Sequence, residues 1–183
     1  MVPRLLAQAR DTGLVRITLP EHPGTDSAPA KRIRDQFDVR VHIVPVGDAT
    51  PAARLDRVAR MAAAIFADSV TDDQMIGVAW GTTLANVVKH IDRRPVRGAT
   101  IVQLNAGANA RDPGTAHVGS TLEGLSAAFD ASLVHFPVPA FFDFVETKEA
   151  MWQERSVKHV LEMQHRLDLA ILGSGMQRNS GWR

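Results

Sequence analysis

Short apolar segments alternate with amphipathic helical segments from residue 30 onward, and this alternation restricts the fold more than any other feature. Apolar runs rich in β-branched residues predict strands at 39–46, 75–80, 99–104, 133–138 and 169–172. Helical spacing of apolar residues fills the intervals at 30–37, 50–66, 82–91, 118–131 and 147–167, the last with a break near Ser156. Strands that alternate with helices predict an α/β domain with a mainly parallel sheet. The near-continuous apolar character of the strands predicts that both faces of this sheet are covered.

The first 29 residues have a different pattern. Residues 2–10 predict a short helix, and residues 14–19 alternate with the period of a half-buried strand. Residues 20–29 are rich in Pro, Gly, Asp, Ser and Thr, which predicts a linker. We therefore expect an N-terminal segment at 1–19, a linker at 20–29 and one α/β domain at 30–183.

Composition excludes several classes of protein. The 183 residues include no cysteine, which rules out disulfides, Cys-ligated zinc, iron–sulfur clusters and a thiol nucleophile. No apolar run reaches the roughly 18 residues of a spanning helix, and the N-terminus lacks the apolar core of a secretory signal. We therefore expect a cytoplasmic protein without a membrane partner. Residues 1–60 contain ten Lys and Arg against seven Asp and Glu, an excess too small to predict nucleic-acid binding by itself.

Small or polar residues follow four of the predicted strands. Ligands of open α/β sheets bind at the carboxyl ends of the strands, so these positions form the candidate site. After the strand at 75–80, Gly81, Thr82 and Thr83 precede a helix and offer backbone N–H groups and two hydroxyls to an anion. An ordinary threonine helix cap beside a glycine turn would explain the same three residues.

The other three strand ends present different groups. Asn105 and Asn109 offer uncharged donors and acceptors that suit sugar hydroxyls, although a polar turn has the same composition. The proline-rich segment 137–141 predicts a rigid wall of a cleft. The Gly-Ser-Gly sequence at 173–175 would let a ligand approach the backbone, or would form a plain turn. Their regular placement at successive strand ends is more informative than any one of them.

Patterns typical of catalysis are missing from the sequence. It contains no nucleotide-binding glycine loop, no complete dinucleotide fingerprint and no nucleophile elbow. The seven histidines show no metal-binding pair at H-x-x-x-H spacing. Asp143 and Glu146 are the only plausible carboxylates near a strand end, and a surface role explains them better than a catalytic one. We predict no catalytic residue, no metal site and no cofactor.

Five stretches together show a family resemblance. They are RLLAQARDTGLVRITL at 4–19, IGVAWGTTLANVV at 76–88, TIVQLNAGAN at 100–109, FPVPAFF at 136–142 and SVKHVLEMQHRLDLAILGSG at 156–175. In this order they resemble the SorC/DeoR-type sugar-binding transcriptional regulators. The resemblance implies a three-layer, Rossmann-like fold with a mainly parallel sheet, similar to sugar-phosphate isomerases and CoA transferases, after a winged-helix remnant at 1–19. It also implies an effector site for a phosphorylated sugar and a homo-oligomer that regulates DNA binding.

The resemblance assigns roles to residues at all four strand ends. Gly81, Thr82 and Thr83 resemble the phosphate-side loop of the family. The remaining ligand-binding candidates resemble its Asn-Gly-Gly turn, its cleft wall and its G-x-G segment: Asn105, Gly107, Pro139, Ala140, Phe141, Gly173, Ser174 and Gly175. Ala106 stands where the family has the first glycine of its turn.

Two departures from the family concern the ends of the chain. Family members begin with a complete helix-turn-helix, whereas residues 1–19 resemble only the end of its recognition helix and the wing. Arg4 and Arg10 are the DNA-contact candidates on this segment, and without a bracing first helix we expect weak DNA binding by the chain alone. Family members also continue well beyond the G-x-G segment, so the chain resembles a regulator truncated at both ends.

Three functions are compatible with the sequence. The first is an effector-binding domain in which a sugar phosphate shifts the arrangement of protomers and thereby DNA affinity. The second is a sugar-phosphate isomerase or deaminase of the same fold, which needs a positioned general base such as Asp143 or Glu146. The third is a non-functional remnant, or a chain that acts only by assembling with full-length relatives.

Overall fold

The computed structural model describes residues 27–107 and 116–173, with side chains in the second range from residue 119 onward. The chain divides into two compact units, Met1–Asp48 and Ala49–Arg183. The predicted winged-helix remnant at 1–19, with Arg4 and Arg10, lies outside the described residues, as do most of the predicted linker and the G-x-G residues Ser174 and Gly175.

Helix α1, Ala28–Phe37, is the regular element described in the first unit. It begins two residues before the predicted start, with the Ser27 hydroxyl accepting a hydrogen bond from the Ala30 amide at 3.3 Å. It ends at Asp38, whose left-handed backbone conformation lets its amide donate to the Arg34 carbonyl. The strand predicted at 39–46 is wrong, because this segment is neither helix nor strand. A β-branched run favours an extended backbone, but a strand also needs a neighbouring strand to pair with.

The second unit contains the alternating strands and helices that the sequence predicts. In chain order its elements are α2 (Pro51–Ser69), β1 (Met75–Val78), α3 (Thr82–Val88), β2 (Thr100–Gln103), α4 (Ala116–Phe129), β3 (Ser132–Val134), α5 (Val145–Gln153), α6 (Arg155–Gln164) and β4 (Leu169–Ile171). Thr50 caps α2 by accepting the Ala53 amide at 3.3 Å, as the Thr-Pro start predicts. The helix predicted at 147–167 is divided at Glu154, whose extended backbone conformation separates α5 from α6.

The four strands form one parallel sheet in the order β3-β2-β1-β4. Ile76 of β1 lies opposite Ile101 of β2 on one side and opposite Leu169 of β4 on the other. The chain therefore leaves β1 toward β2, crosses to β3, and later returns to the opposite side of β1 at β4. In open α/β sheets such a reversal of strand order opens a crevice at the carboxyl ends of the strands.

Two apolar clusters pack against the sheet, one on each face. The larger joins Phe66 of α2 and Phe129 of α4 to Ile101 of β2, among other residues. The smaller joins Val157 of α6 to Val102, the next residue of β2. Because successive side chains of a strand point to opposite faces, the two clusters lie on opposite sides of the sheet. This confirms the three-layer, parallel α/β fold.

Candidate functional site

The loops after β1 and β4 meet at the reversal of strand order. Gly81 follows β1 and supplies the carbonyl that accepts the Ala85 amide at 2.9 Å, so it begins the two-turn helix α3. Gly173 follows β4, and a Cβ atom at this position would lie 3.4 Å from the Cβ of Thr83. A side chain at 173 would thus be in ordinary van der Waals contact with Thr83, which shows that the loops after β1 and β4 lie side by side.

Asn105 joins the loop after β2 to the loop after β1. Its Oδ1 accepts the Trp80 amide at 2.9 Å, and its Nδ2 donates to the Trp80 carbonyl at 3.3 Å. The backbone ladder between the two strands extends only as far as the Leu104 amide on the Val78 carbonyl. A carboxamide has one donor side and one acceptor side, as a peptide group does, so Asn105 takes the place of the next ladder partner. The Trp80 indole adds a third bond by donating to the Ala106 carbonyl at 2.8 Å.

The loop after β2 also pairs with the loop after β3. The Gly107 amide donates to the Val138 carbonyl at 2.9 Å, and Gly107 forms an isolated parallel bridge with Pro139. Deeper in the structure, the buried side chain of Gln103 accepts the Phe136 amide at 3.2 Å. The four loops therefore form one continuous rim along the carboxyl edge of the sheet, in the order of the strands. We call this edge the strand-end rim.

A cavity of about 490 Å³ borders the strand-end rim on the β3 side. Ala106, Pro139, Ala140 and Phe141 contribute to its lining, together with Lys148 of α5. Its size falls within the range of small-molecule sites. A larger concavity of about 760 Å³ runs along α5, but only residues of that helix line it. We place the candidate site at the rim, because several strand ends converge there.

The comparisons with known proteins identify the family. Residues 22–181 match the model of the family described as "Putative sugar-binding domain". The chain belongs to this family. The sugar-binding domain is similar to the Deoxyribonucleoside regulator of Bacillus subtilis (strain 168), at 24% identity over 97% of this chain and 57% of that protein.

Two solved structures give the structural comparison. A domain of a "possible sugar-binding transcriptional regulator" from Arthrobacter aurescens TC1 has 39% identity and a TM-score of 0.73 over 84% of this chain and 59% of that chain. The full-length sorbitol operon regulator SorC from Klebsiella pneumoniae has 19% identity and a TM-score of 0.77 over 92% of this chain and 56% of that chain. The predicted relation to the SorC/DeoR-type regulators is confirmed, and SorC at this identity shows the shared fold. The chain spans somewhat more than half the length of these relatives.

Most of the predicted ligand-binding residues of the sugar-binding domain lie on the strand-end rim. The described ones are Gly81, Thr82, Thr83, Asn105, Gly107, Pro139, Ala140, Phe141 and Gly173. The structure places 81–83 and Gly173 at the β1–β4 end and 139–141 beside the cavity, with Asn105 and Gly107 on the loop between them. Their contacts with a ligand stay a prediction. Asp143 and Glu146, the carboxylates considered for catalysis, are both exposed, and no comparison favours an enzyme.

Three further residues, at the rim or beside its cavity, carry no signal in the sequence. Trp80 and Gln103 lie inside apolar strand runs, where their polar atoms gave no periodic signal. Lys148 is the one cation among the described residues that line the 490 Å³ cavity, and its ammonium lies 5.5 Å from the centroid of the Trp152 ring. A lone lysine on a helix surface has no distinguishing pattern in one sequence.

The perturbed carboxylates that the structure describes lie away from the rim. Asp72 precedes β1, and its pKa is lowered by hydrogen bonds from the backbone amide and then the guanidinium of Arg97. Asp56 of α2 has its pKa lowered by hydrogen bonds from Arg60 and His90. Because both carboxylates lie away from the rim, neither indicates a catalytic residue at the candidate site.

Two properties of residues 27–107 and 116–173 concern membranes and metals. None of the helices in these ranges combines the length and apolar character that crossing a membrane requires. No group of three or more His, Asp and Glu residues there is arranged to bind a metal ion.

Proposed function

We propose that the strand-end rim binds a phosphorylated sugar as an effector, with Gly81, Thr82 and Thr83 at the phosphate. The observation that supports this most directly is the continuous rim itself, in which four loops meet at the reversal of strand order in a sugar-binding domain. Thr83 lies beside Gly173, so a ligand that contacts the Thr83 hydroxyl would also lie near the backbone of the loop after β4. Threonine hydroxyls donate well to phosphate oxygens, and such charge-assisted bonds are about twice as strong as neutral ones.

The sugar itself would lie toward the 490 Å³ cavity. Phe141 is 67% exposed and lines this cavity, where a ligand would cover its ring. Pro139 and Ala140 form the adjacent wall. The ammonium of Lys148 and the carboxylate of Asp143 both line this end of the site, so it offers a donor and acceptors to sugar hydroxyls without a net charge.

Binding would act by shifting a population rather than by catalysis. An effector that binds one arrangement of protomers more tightly than another favours that arrangement by the difference in binding free energy. In a regulator of this family, the favoured arrangement would change the affinity for DNA. DNA binding and self-association are therefore proposed for the larger architecture, with the sugar-binding domain as the sensor.

Isothermal titration calorimetry with a panel of sugar phosphates tests the proposal. Two members are phosphates of the sugars that the relatives' names contain, deoxyribose-5-phosphate and sorbitol-6-phosphate, and ribose-5-phosphate and glucose-6-phosphate complete the panel. Each unphosphorylated sugar serves as a control. We expect heat from at least one phosphate and a much weaker response from its unphosphorylated counterpart.

The variant Thr83→Val connects that heat to the rim. Valine has nearly the shape of threonine without the hydroxyl, and a hydrogen bond to a charged group contributes about 1.5–3 kcal/mol, so affinity should fall about 10- to 150-fold. Thr71→Val is the matched control, because this exposed threonine lies before β1, at the opposite edge of the sheet. A folded chain that gives no heat with any member of the panel would refute the proposal. Equal losses of affinity in the two variants would show that the sugar phosphate does not bind at the rim.

A further inference from the structure

We infer that Gln103 is a positioning residue of the effector site, which fixes the cavity wall and the phosphate-side loop in one geometry without contacting the ligand. This inference rests on the proposed function of the strand-end rim and extends it to how the two ends of the rim are coupled. Gln103 is the last residue of β2 and is 3% exposed. Its side chain binds two loops, one that follows β2 and one that follows β3.

The hydrogen bonds of Gln103 fix the orientation of its carboxamide. The Phe136 amide is a donor, so the atom that faces it at 3.2 Å is Oε1. The Asn105 carbonyl is an acceptor, so the atom that faces it at 2.7 Å is Nε2. Nδ1 of His135 lies 3.3 Å from the same Oε1. A carboxamide rotated by half a turn would place like groups opposite one another, so the side chain has a single favourable orientation.

The bonds continue from Gln103 to the phosphate-side loop. Asn105, fixed at its carbonyl by Gln103, binds the amide and carbonyl of Trp80 through its own side chain. Trp80 directly precedes Gly81. In the other direction, Phe136 begins the segment that includes Pro139, so the cavity wall and the phosphate-side loop share one hydrogen-bonded connection. Gln103 is the buried member of this half-buried connection, and a polar network whose partners are satisfied favours one arrangement over its alternatives.

A second anchor prevents β2 from moving independently of this connection. The side chain of Gln164, at the end of α6, donates to the carbonyls of Gln103 and Leu104 at 2.9 and 3.3 Å. The end of β2 is therefore bound by its side chain to the loops and by its backbone to a helix. A change in the cavity wall on ligand binding would be transmitted to 81–83 through Gln103.

Hydrogen exchange of individual amides measures this coupling without a ligand. In Gln103→Met, a change that keeps the side-chain length and removes both polar atoms, we expect faster exchange at the amides of Phe136 and Trp80. The Thr100 amide donates to the Gln74 carbonyl at the far end of β2 and should keep its rate, which separates local loosening from global unfolding. The matched control is Gln74→Met, because the Gln74 side chain accepts only a local bond from the Thr71 amide at 2.9 Å in the described contacts.

The second measurement is titration with the same panel of sugar phosphates. Substitutions that couple to a site without touching its ligand change binding by about twofold to thirtyfold, and we expect a loss in this range for Gln103→Met and none for Gln74→Met. If Gln103→Met does not fold, Gln103→Glu decides at a pH at which the new carboxylate is ionised, since it then retains an acceptor for the Phe136 amide and has no donor for the Asn105 carbonyl. In that variant the Trp80 amide alone should exchange faster.

The outcomes separate the inference from the proposed function. Faster exchange at Trp80 together with weaker binding supports Gln103 as a positioning residue. An unchanged rate at Trp80, or unchanged affinity in a wild type that binds, overturns the inference and leaves the proposed function standing. A wild type that gives no heat with any sugar phosphate removes the proposed function, and the positioning role is lost with it.

Discussion

Asn105 provides the most informative single substitution in the strand-end rim. The sequence predicts it as a ligand-binding residue, yet in the structure its Oδ1 and Nδ2 both bind the backbone of Trp80, at 2.9 and 3.3 Å. If those two bonds are its main role, Asn105→Leu should destabilise the fold even without a ligand. The side chain of leucine is similar in size and cannot donate or accept a hydrogen bond.

The structure sets the size of the effect. Each intramolecular hydrogen bond contributes a net of about 1 kcal/mol to the free energy of unfolding, so two bonds give about 2 kcal/mol. Trp80 is half-buried, so water can replace part of this loss, and the lower bound is about 1 kcal/mol. With a urea m-value of about 2 kcal/mol/M, the midpoint of unfolding should fall by about 1 M.

Urea unfolding followed by circular dichroism measures the difference, with Asn86→Leu as the matched control. Asn86 is on α3, and its side-chain bonds among the described residues are both local, from its Nδ2 to the Thr82 carbonyl at 2.7 Å and from the Lys89 ammonium to its Oδ1 at 3.2 Å. Leucine favours helix more than asparagine does, so this control should stay within about 0.5 kcal/mol of the wild type. An Asn105→Leu chain as stable as the control would refute the bracing role and return Asn105 to the set of residues that are free to bind the sugar.

Two further predictions concern stability away from the rim. Phe129 is fully buried, and its ring centroid lies 6.0 Å from that of Phe66. Phe129→Ala should therefore lower the free energy of unfolding by about 3–5 kcal/mol. A loss below about 1.5 kcal/mol would show that the core collapses around the gap. Because its pKa is lowered in the folded state, Asp72 stabilises the fold above its unfolded pKa near 3.8, and this contribution is lost as the pH falls through the folded pKa. In urea unfolding, Asp72→Asn should thus have a lower free energy of unfolding than the wild type at pH 7 and a similar one at pH 3. A difference in free energy that stays constant with pH would contradict the ion pair with Arg97.

The sequence predicts the layered α/β fold correctly because that fold depends on local periodicity. The helix start at Thr50, the strands at 75–80 and 99–104 and the break between α5 and α6 all depend on residues close together in the chain. The segment 39–46 shows where this reasoning fails. Its β-branched residues satisfy the local requirement for a strand, but pairing depends on a distant partner that local sequence does not specify.

The candidate site, like the fold, could be predicted from the sequence only in part. Residues at strand ends could be listed from the sequence, since the carboxyl ends of parallel strands lie on one edge of the sheet. The sequence did not specify which of these residues contact one another. The closeness of Gly173 to Thr83 depends on β4 lying beside β1, and the bond between Gln103 and Phe136 depends on β2 lying beside β3.

By its own pattern, the sequence determined the class of the fold, the absence of thiol chemistry and the edge of the sheet at which a ligand would bind, because these follow from residue types and short-range spacing. Only the tertiary structure decided the strand order β3-β2-β1-β4, and with it the continuity of the strand-end rim. It also assigned the polar atoms of Asn105 to Trp80 and those of Gln103 to two different loops. A carboxamide binds a ligand and a neighbouring backbone with the same atoms, so its partner is set by the packing of distant segments.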